Sequence, residues 1–537
     1  MPAHAEDCGS CSSAGDNATF APQRLSARSP LDPADWQAFR DSAHKFLDVL
    51  ITRLEHAGDG PVWTPMPDAV KRRLAAPPPA APRGVDEVCA DLSQSILPYG
   101  TGNTHPRFWG WVHGTGTAGG VLAEMAAATM NVNCGGRNHG AIHLERCVIS
   151  WMAQWFGFPA GAGGLLVSGS SMANLLGLAA ARHRAVPDVR TGGLNNAPLA
   201  GYTSTESHSC VIKAFELLGL GRDALRRIPT TAEFRIDLAA LRRAISADRA
   251  AGRQPFCVVG TAGTVNTGAC DDLSGLADLC SDEGLWLHVD GAFGASTILC
   301  PELAERLSGI ERADSLAFDF HKWLHVPYDA GCLLVRDENR LIATFADRAP
   351  YLVSDTGLAG GAVWPCDLGL ELSRGFRALK VWFTIQEHGM QALGAAISRN
   401  CAQAQKLATQ IASRPMLRLM APVALQIVCC RYQPSGMDEA LADTLNRRLV
   451  ATLQERGIAA PSVCLIDGRV CIRICISNHR TDDGDLDILL QAIDCIGAEI
   501  FSAAATNQPE DGRGSQFQDQ PSRRCGTNSN ERCISGA

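Results

Sequence analysis

Lys322 lies in the segment DSLAFDFHKWLHVPYDAGCLLVRD, with apolar and aromatic residues on both sides. A lysine desolvated in this way has a depressed pKa and can condense with a carbonyl to a Schiff base. The plain alternative is a lysine stem lying along a core strand with its ammonium reaching water. Asp290 ends the apolar run of LWLHVDGAFGA, where an unpaired carboxylate is costly to bury. A cationic pyridinium nitrogen would satisfy it, as would a helix cap or an arginine. In GLLVSGSSMANLLGLAAARH a strand stops at Ser168, a turn runs through Gly169, Ser170 and Ser171, and a helix is expected from Met172. N–H groups and hydroxyls at a helix start suit a phosphate, although Gly and Ser there are also ordinary caps. His208, in YTSTESHSCVIKAFELLG, falls between a short strand and a helix, a position for a cap or core histidine as much as for a reactive one. The turn in VVGTAGTVNTGACDDL places hydroxyls at the C-terminal edge of a strand, the usual ligand crevice of open α/β sheets.

These segments need a scaffold that brings strand ends together. Between about residues 100 and 390, short apolar or β-branched runs alternate with helical stretches. Such alternation predicts an α/β fold, a mainly parallel sheet with helices on both faces. Residues 31–95 read as an N-terminal helical arm, with an amphipathic helix over Asp32 to Leu54 and a stiff connector, APPPAAPR. Residues 96–390 read as the large domain. A long helix, LQIVCCRY, a helix from Met437 to Arg456, VCIRICIS and a last helix to about Ala505 make 391–505 a smaller α+β domain. The polar segments 1–30 and 506–537 are expected to be disordered.

Composition bounds the partners. The chain has 537 residues, 46% hydrophobic and 19% charged, with a net charge of −8. That is a globular composition, not a fibrous or disordered one, and a mildly acidic chain is poorly suited to nucleic acid. No apolar run is long enough for a membrane helix. The first residues lack the basic-then-apolar pattern of an export signal, so the location is read as cytoplasmic. The 21 cysteines are scattered, many inside apolar runs, where Cys behaves as a small hydrophobe. Cys8 and Cys11 form a CxxC with no strand or helix pattern around it, and no metal site is expected.

In chain order, the phosphate turn, the histidine, the Thr-rich turn, the HVD strand and the HKW motif resemble the group II pyridoxal-phosphate-dependent amino acid decarboxylases, over about residues 30–500. The resemblance implies a fold-type-I architecture with a mainly parallel, seven-stranded-type sheet. It also implies a homodimer with active sites at the interface, the N-terminal arm wrapping the partner, and pyridoxal 5'-phosphate as cofactor. Lys322 would carry the cofactor and Asp290 would pair with its ring nitrogen. His208 would stack on one ring face and the Ala292 methyl on the other. Gly169, Ser170 and Ser171 would hold the phosphate, helped by His321, and Thr264 would lie nearby. Tyr351, in ATFADRAPYLVSDTG, matches a loop tyrosine that protonates Cα after decarboxylation, donated across the dimer; relatives with phenylalanine there tend to be aldehyde synthases. Arg374, in LELSRGFRALKVWF, matches an arginine that supports the site, its alternative being a helix-surface ion pair. The chain departs from many members at Met172, Val265 and Asp319, and an aspartate beside a phosphate would repel it.

The implied reaction is decarboxylation of an L-amino acid to its amine and carbon dioxide. Trp111 and His113, in HPRFWGWVHGTGTAGG, match the substrate side-chain pocket, and Trp109 with Trp111 suits an aromatic side chain. Arg137, in NVNCGGRNHG beside Asn133 and His139, would instead suit a substrate carboxylate. An aromatic substrate is favoured. The alternatives are an acidic amino acid (glutamate, aspartate or cysteine sulfinate), diaminobutyrate, or an aldehyde synthase or transaminase on the same fold.

Overall fold

In the computed structural model, residues 31–347, 356–360 and 363–506 are described. Tyr351, the Cys8/Cys11 pair and the two polar termini expected to be disordered lie outside them, apart from Thr506, which ends the last helix.

Seven strands form the main sheet: β1 (Gly163–Val167), β2 (Leu199–Ser204), β3 (Leu225–Ile228), β4 (Gln254–Thr261), β5 (Trp286–Asp290), β6 (Ser315–Asp319) and β7 (Gly331–Val335). Their spatial order is β1-β7-β6-β5-β4-β2-β3. β6, β5, β4, β2 and β3 run parallel, and β7 is antiparallel to both β1 and β6. β1, β2, β5, β6 and β7 are buried along their whole length, as expected of strands covered on both faces. Alternate residues serve opposite layers. Leu166, Leu287 and Val289 join one core with helices 140–155, 238–250 and 273–283, through Met152, Leu241 and Leu276. Leu165, Val167 and Trp286 join the other with helices 170–185 and 209–217, through Leu176 and Phe215.

A second, antiparallel sheet of order β10-β11-β9-β8 comprises β8 (Leu417–Leu419), β9 (Ile427–Tyr432), β10 (Ser462–Ile466) and β11 (Arg469–Cys475). Its Val428 and Ile472 pack with Leu449 and Leu489 of helices Glu439–Glu455 and Asp483–Thr506. The long helix expected after about 390 begins earlier, at Arg377, and runs to Ala412 with one non-helical residue, Gly389 at φ 69°. At the N-terminus a helix spans Trp36–Glu55, and the Asp35 side chain caps it by accepting from Gln37 and Ala38 N–H. Trp36, Phe39, Val49 and Ile51 of this helix are exposed. Among the described residues no helix is long and apolar enough to cross a membrane, and no cluster of side chains is arranged to hold a metal.

Candidate active site

The parallel strands all point their C-terminal ends at one edge of the sheet, and the chemistry-bearing residues collect there. β1 leads through Ser168 and Gly169 into the helix Ser170–Ala185. The helix starts two residues before the expected Met172, because Gly169 is its N-cap. The turn lies so close to β7 that a Cβ on Gly331 would sit 2.5 Å from Gly169 Cα. Only glycine fits that approach. The Ser170 hydroxyl is buried and has no partner, an orphan polar atom at the N-terminus of a sixteen-residue helix.

β6 ends at Asp319, and the following turn carries His321 and Lys322. Asp319 Oδ1 accepts the Ser170 N–H at 2.6 Å, and Oδ2 lies 3.0 Å from Lys322 Nζ. A depressed lysine pKa was expected from burial. Burial does oppose the ammonium, but the charge and hydrogen bond of Asp319, with help from Asp290, outweigh it and hold Lys322 above its ordinary value. The His321 ring is buried, with Nδ1 3.0 Å from the Ala330 carbonyl oxygen, and Tyr328 packs on it at 4.3 Å between centroids. Burial lowers the pKa of His321.

Asp290 closes β5. Its Oδ2 accepts from Asn174 Nδ2 at 3.1 Å and its Oδ1 from the Ala292 N–H at 3.2 Å. Desolvation raises its pKa, with Lys322 and His208 pulling the other way, so the buried carboxylate is suited to a cationic partner. His208 caps the helix Ser209–Leu217, its Nδ1 accepting from the Cys210 N–H at 3.2 Å. Nδ1 is thereby the acceptor, and the proton of the neutral ring sits on Nε2. Desolvation lowers the pKa of His208 against the opposing pull of Asp290.

A cleft of about 480 Å³ joins these groups; its walls include Ser168, Gly169, Ser170, Ser171, His208, Asp290, Ala292, His321 and Lys322. Trp111 stands at it with 57% exposure, and Met172, Val265 and Asp319 line it too. His113 lies just behind, its ring 5.8 Å from Trp111 and 6.1 Å from Tyr328.

Three expected positions turn out otherwise. The Thr264 hydroxyl is fully buried in its own turn, paired with Thr267 at 2.9 Å and with the Ala269 N–H at 3.1 Å. Thr261, whose hydroxyl is buried without a partner, lines the cleft instead. Arg374 is neither at the cleft nor on a surface: it is buried against Glu145 at 2.5 Å and donates to the Cys134 and Leu166 carbonyls. With its charge paired to Glu145 and both terminal nitrogens engaged, it is held away from the cleft. Arg137 stacks over the Trp364 ring at 4.7 Å, away from the cleft.

Sequence reasoning missed Asn174, Cys210, Thr261, Phe293 and Tyr328. A signal existed for Asn174, four residues after Ser170 and therefore on the same helix face, and for Thr261, a hydroxyl at the C-terminal edge of its strand.

The donor set suits pyridoxal phosphate. There is an orphan hydroxyl at a helix N-terminus for a phosphate, a buried carboxylate short of a cation, and an amine at the cleft between them. Known proteins carry the same combination of sequence and fold. Residues 67–433 match the model of the pyridoxal-dependent decarboxylase conserved domain. An aromatic-L-amino-acid decarboxylase of Bacillus atrophaeus is 34% identical over 470 residues, covering 86% of this chain and 96% of its own. The Oryza sativa TDC solved with PLP and tryptamine superposes with a TM-score of 0.81 at 27% identity, over 87% of this chain and 99% of that one. A Rhodiola rosea 4-hydroxyphenylacetaldehyde synthase structure gives 0.78 at 26%, over 87% and 100%. Helix-start turn, buried acid and cleft lysine thus occur in a chain that matches these proteins nearly end to end, and it belongs to the pyridoxal-dependent decarboxylase family, carboxy-lyases that use pyridoxal phosphate on amino acids.

Proposed function

We propose that the chain decarboxylates an aromatic L-amino acid, as a homodimer in the cytoplasm. The observation that carries the substrate class is the make-up of the cleft. Trp111, Val112, Val265, Phe293 and Tyr328 supply an apolar and aromatic wall, and among its described lining residues there is no arginine to meet a side-chain carboxylate. Relatives named for aromatic substrates support the same reading.

Pyridoxal phosphate, when bound at Lys322, supplies the electron sink for the pair left on Cα as carbon dioxide departs. The chain does the rest. The Ser170 hydroxyl and the helix N-terminus would hold the phosphate. Asp290 would supply negative charge to the ring nitrogen, a preorganised field that needs no rearrangement during reaction. His208 presents a neutral Nε2–H to the cleft, able to orient the departing carboxylate. Asp319 keeps a proton on Lys322 whenever that amine is free. Tyr351 would return a proton to Cα. The exposed Trp36, Phe39, Val49 and Ile51 of the N-terminal helix, with Leu122 and Met125, support an apolar subunit contact.

The test is a panel of L-tryptophan, L-tyrosine, L-phenylalanine, L-DOPA, L-glutamate, L-aspartate, cysteine sulfinate and 2,4-diaminobutyrate. Carbon dioxide and amine are scored beside aldehyde and hydrogen peroxide. Aromatic amine is the expected product. A preference for an acidic or diamino substrate overturns the reading, and aldehyde with peroxide replaces it with the synthase reaction. Light scattering after gel filtration checks the dimer.

A further inference from the structure

Behind Asp290 runs a line of buried hydrogen bonds with no other evident purpose. Asn174 Nδ2 donates to Asp290 Oδ2 at 3.1 Å, and Asn174 Oδ1 lies 2.6 Å from His288 Nε2. His288 Nδ1 lies 2.7 Å from Ser315 Oγ, which accepts from Trp286 Nε1 at 2.8 Å. Asn174, His288 and Ser315 are completely buried. His288 and Ser315 are register partners on β5 and β6.

The direction of every bond follows from the last one. An ionised carboxylate only accepts, so Asn174 must turn its NH2 toward Asp290 and its oxygen toward His288. His288 must then carry its proton on Nε2, leaving Nδ1 bare. Nδ1 takes the Ser315 hydroxyl proton, and the Ser315 oxygen takes the indole N–H, which can only donate. All the donors therefore point from Trp286 to Asp290. Burial holds the His288 pKa down to about 3, so this neutral tautomer persists at physiological pH. The chain also gives up helix stability for the arrangement. Gly177 lies inside the helix Ser170–Ala185, where glycine is a poorer helix former than alanine. A Cβ there would come within 2.9 Å of the His288 ring.

We propose that His288 is a positioning residue for the cofactor: it locks the Asn174 amide so that Asp290 stays ionised, oriented and free to pair with the protonated ring nitrogen. The inference rests on the pyridoxal phosphate assignment and adds to it residues that touch neither cofactor nor substrate.

The test measures equilibrium binding to the apoenzyme, using pyridoxal phosphate and its analogue with C–H in place of the ring nitrogen. His288→Leu should bind pyridoxal phosphate roughly tenfold to a hundredfold more weakly, the effect of leaving a buried polar group unsatisfied, while binding the analogue as the wild type does. His288→Gln, whose amide can donate to Asn174 and accept from Ser315, should recover most of the loss. Equal weakening for both ligands, no weakening, or a Gln variant as impaired as Leu overturns the proposal. Ser315→Ala removes one hydroxyl and covers the case in which His288→Leu does not fold. A loss confined to pyridoxal phosphate supports the line of bonds, and any other pattern sinks it. A wild-type apoenzyme that binds neither ligand refutes the cofactor assignment itself.

Discussion

Asp319 engages two groups that the cofactor must also use. One carboxylate oxygen takes the Ser170 N–H at 2.6 Å, and the other lies 3.0 Å from Lys322 Nζ. It is both an anion at the helix-start turn and the counter-ion that holds the lysine's pKa up.

Replacing that carboxylate should speed cofactor uptake. Asp319 raises the pKa of Lys322, and only the neutral amine adds to an aldehyde. In Asp319→Asn the amine loses its proton at lower pH, so the rise of uptake rate with pH moves to lower pH. Stopped-flow absorbance of apoenzyme mixed with pyridoxal phosphate across the neutral and mildly alkaline range reads this out. Superimposable profiles would show that the ion pair does not control loading.

Arg374→Ala should destabilise the fold without changing substrate preference. It strands the Glu145 carboxylate, which is buried and also accepts the Leu166 N–H, at a cost of about 3–5 kcal/mol. Thermal melting should show a clear drop. KM for the preferred amino acid, measured where the variant is still folded, should stay at the wild-type value; a large rise would return Arg374 to the substrate site.

Trp111→Ala should weaken binding of an aromatic substrate and little else. The indole stands exposed at the cleft beside Val112. Losing its contact should raise KM about tenfold with kcat nearly constant. Steady-state kinetics with aromatic and aliphatic amino acids separates this from a general defect, which would affect both alike.

Acid should unfold the protein through its neutral histidines. Burial lowers the pKa of His105 to about 4 and those of His288 and His479 to about 3. In the unfolded chain these rings take protons near pH 6.5, so the unfolded state binds more protons as pH falls. Each then costs about 1.4 kcal/mol of stability per pH unit between roughly 6.5 and its folded value. Asp271 opposes them: burial raises its pKa to about 6, so between about pH 6 and its unfolded value near 3.9 its protonation favours the fold. The histidines outnumber it, and melting temperature should fall steadily from about pH 6.5 to about 4.5. His479→Gln should flatten that slope; an unchanged slope would place the acid sensitivity elsewhere.

Much of the site is legible in the sequence. Lys322, Asp290 and the turn at Gly169, Ser170 and Ser171 stand out because each interrupts an apolar run, and a polar group placed where burial is costly has a reason to be there. The α/β class is legible for a related cause: strands covered on both faces read as unbroken apolar stretches, and the helices between them keep their own period. What stays hidden depends on partners remote along the chain. Glu145 meets Arg374 across 229 positions and Ser170 meets Asp319 across 149, and no local spacing records either. Whether Thr261 or Thr264 faces the cleft depends on where β4 ends and how its turn closes. The line from Trp286 to Asp290 exists because β5 and β6 pair in one register and Gly177 lets the histidine ring in. Residue types announced which groups were available for chemistry. Only the packed chain, by setting which hydrogen bonds are already taken, decided which remain free to act.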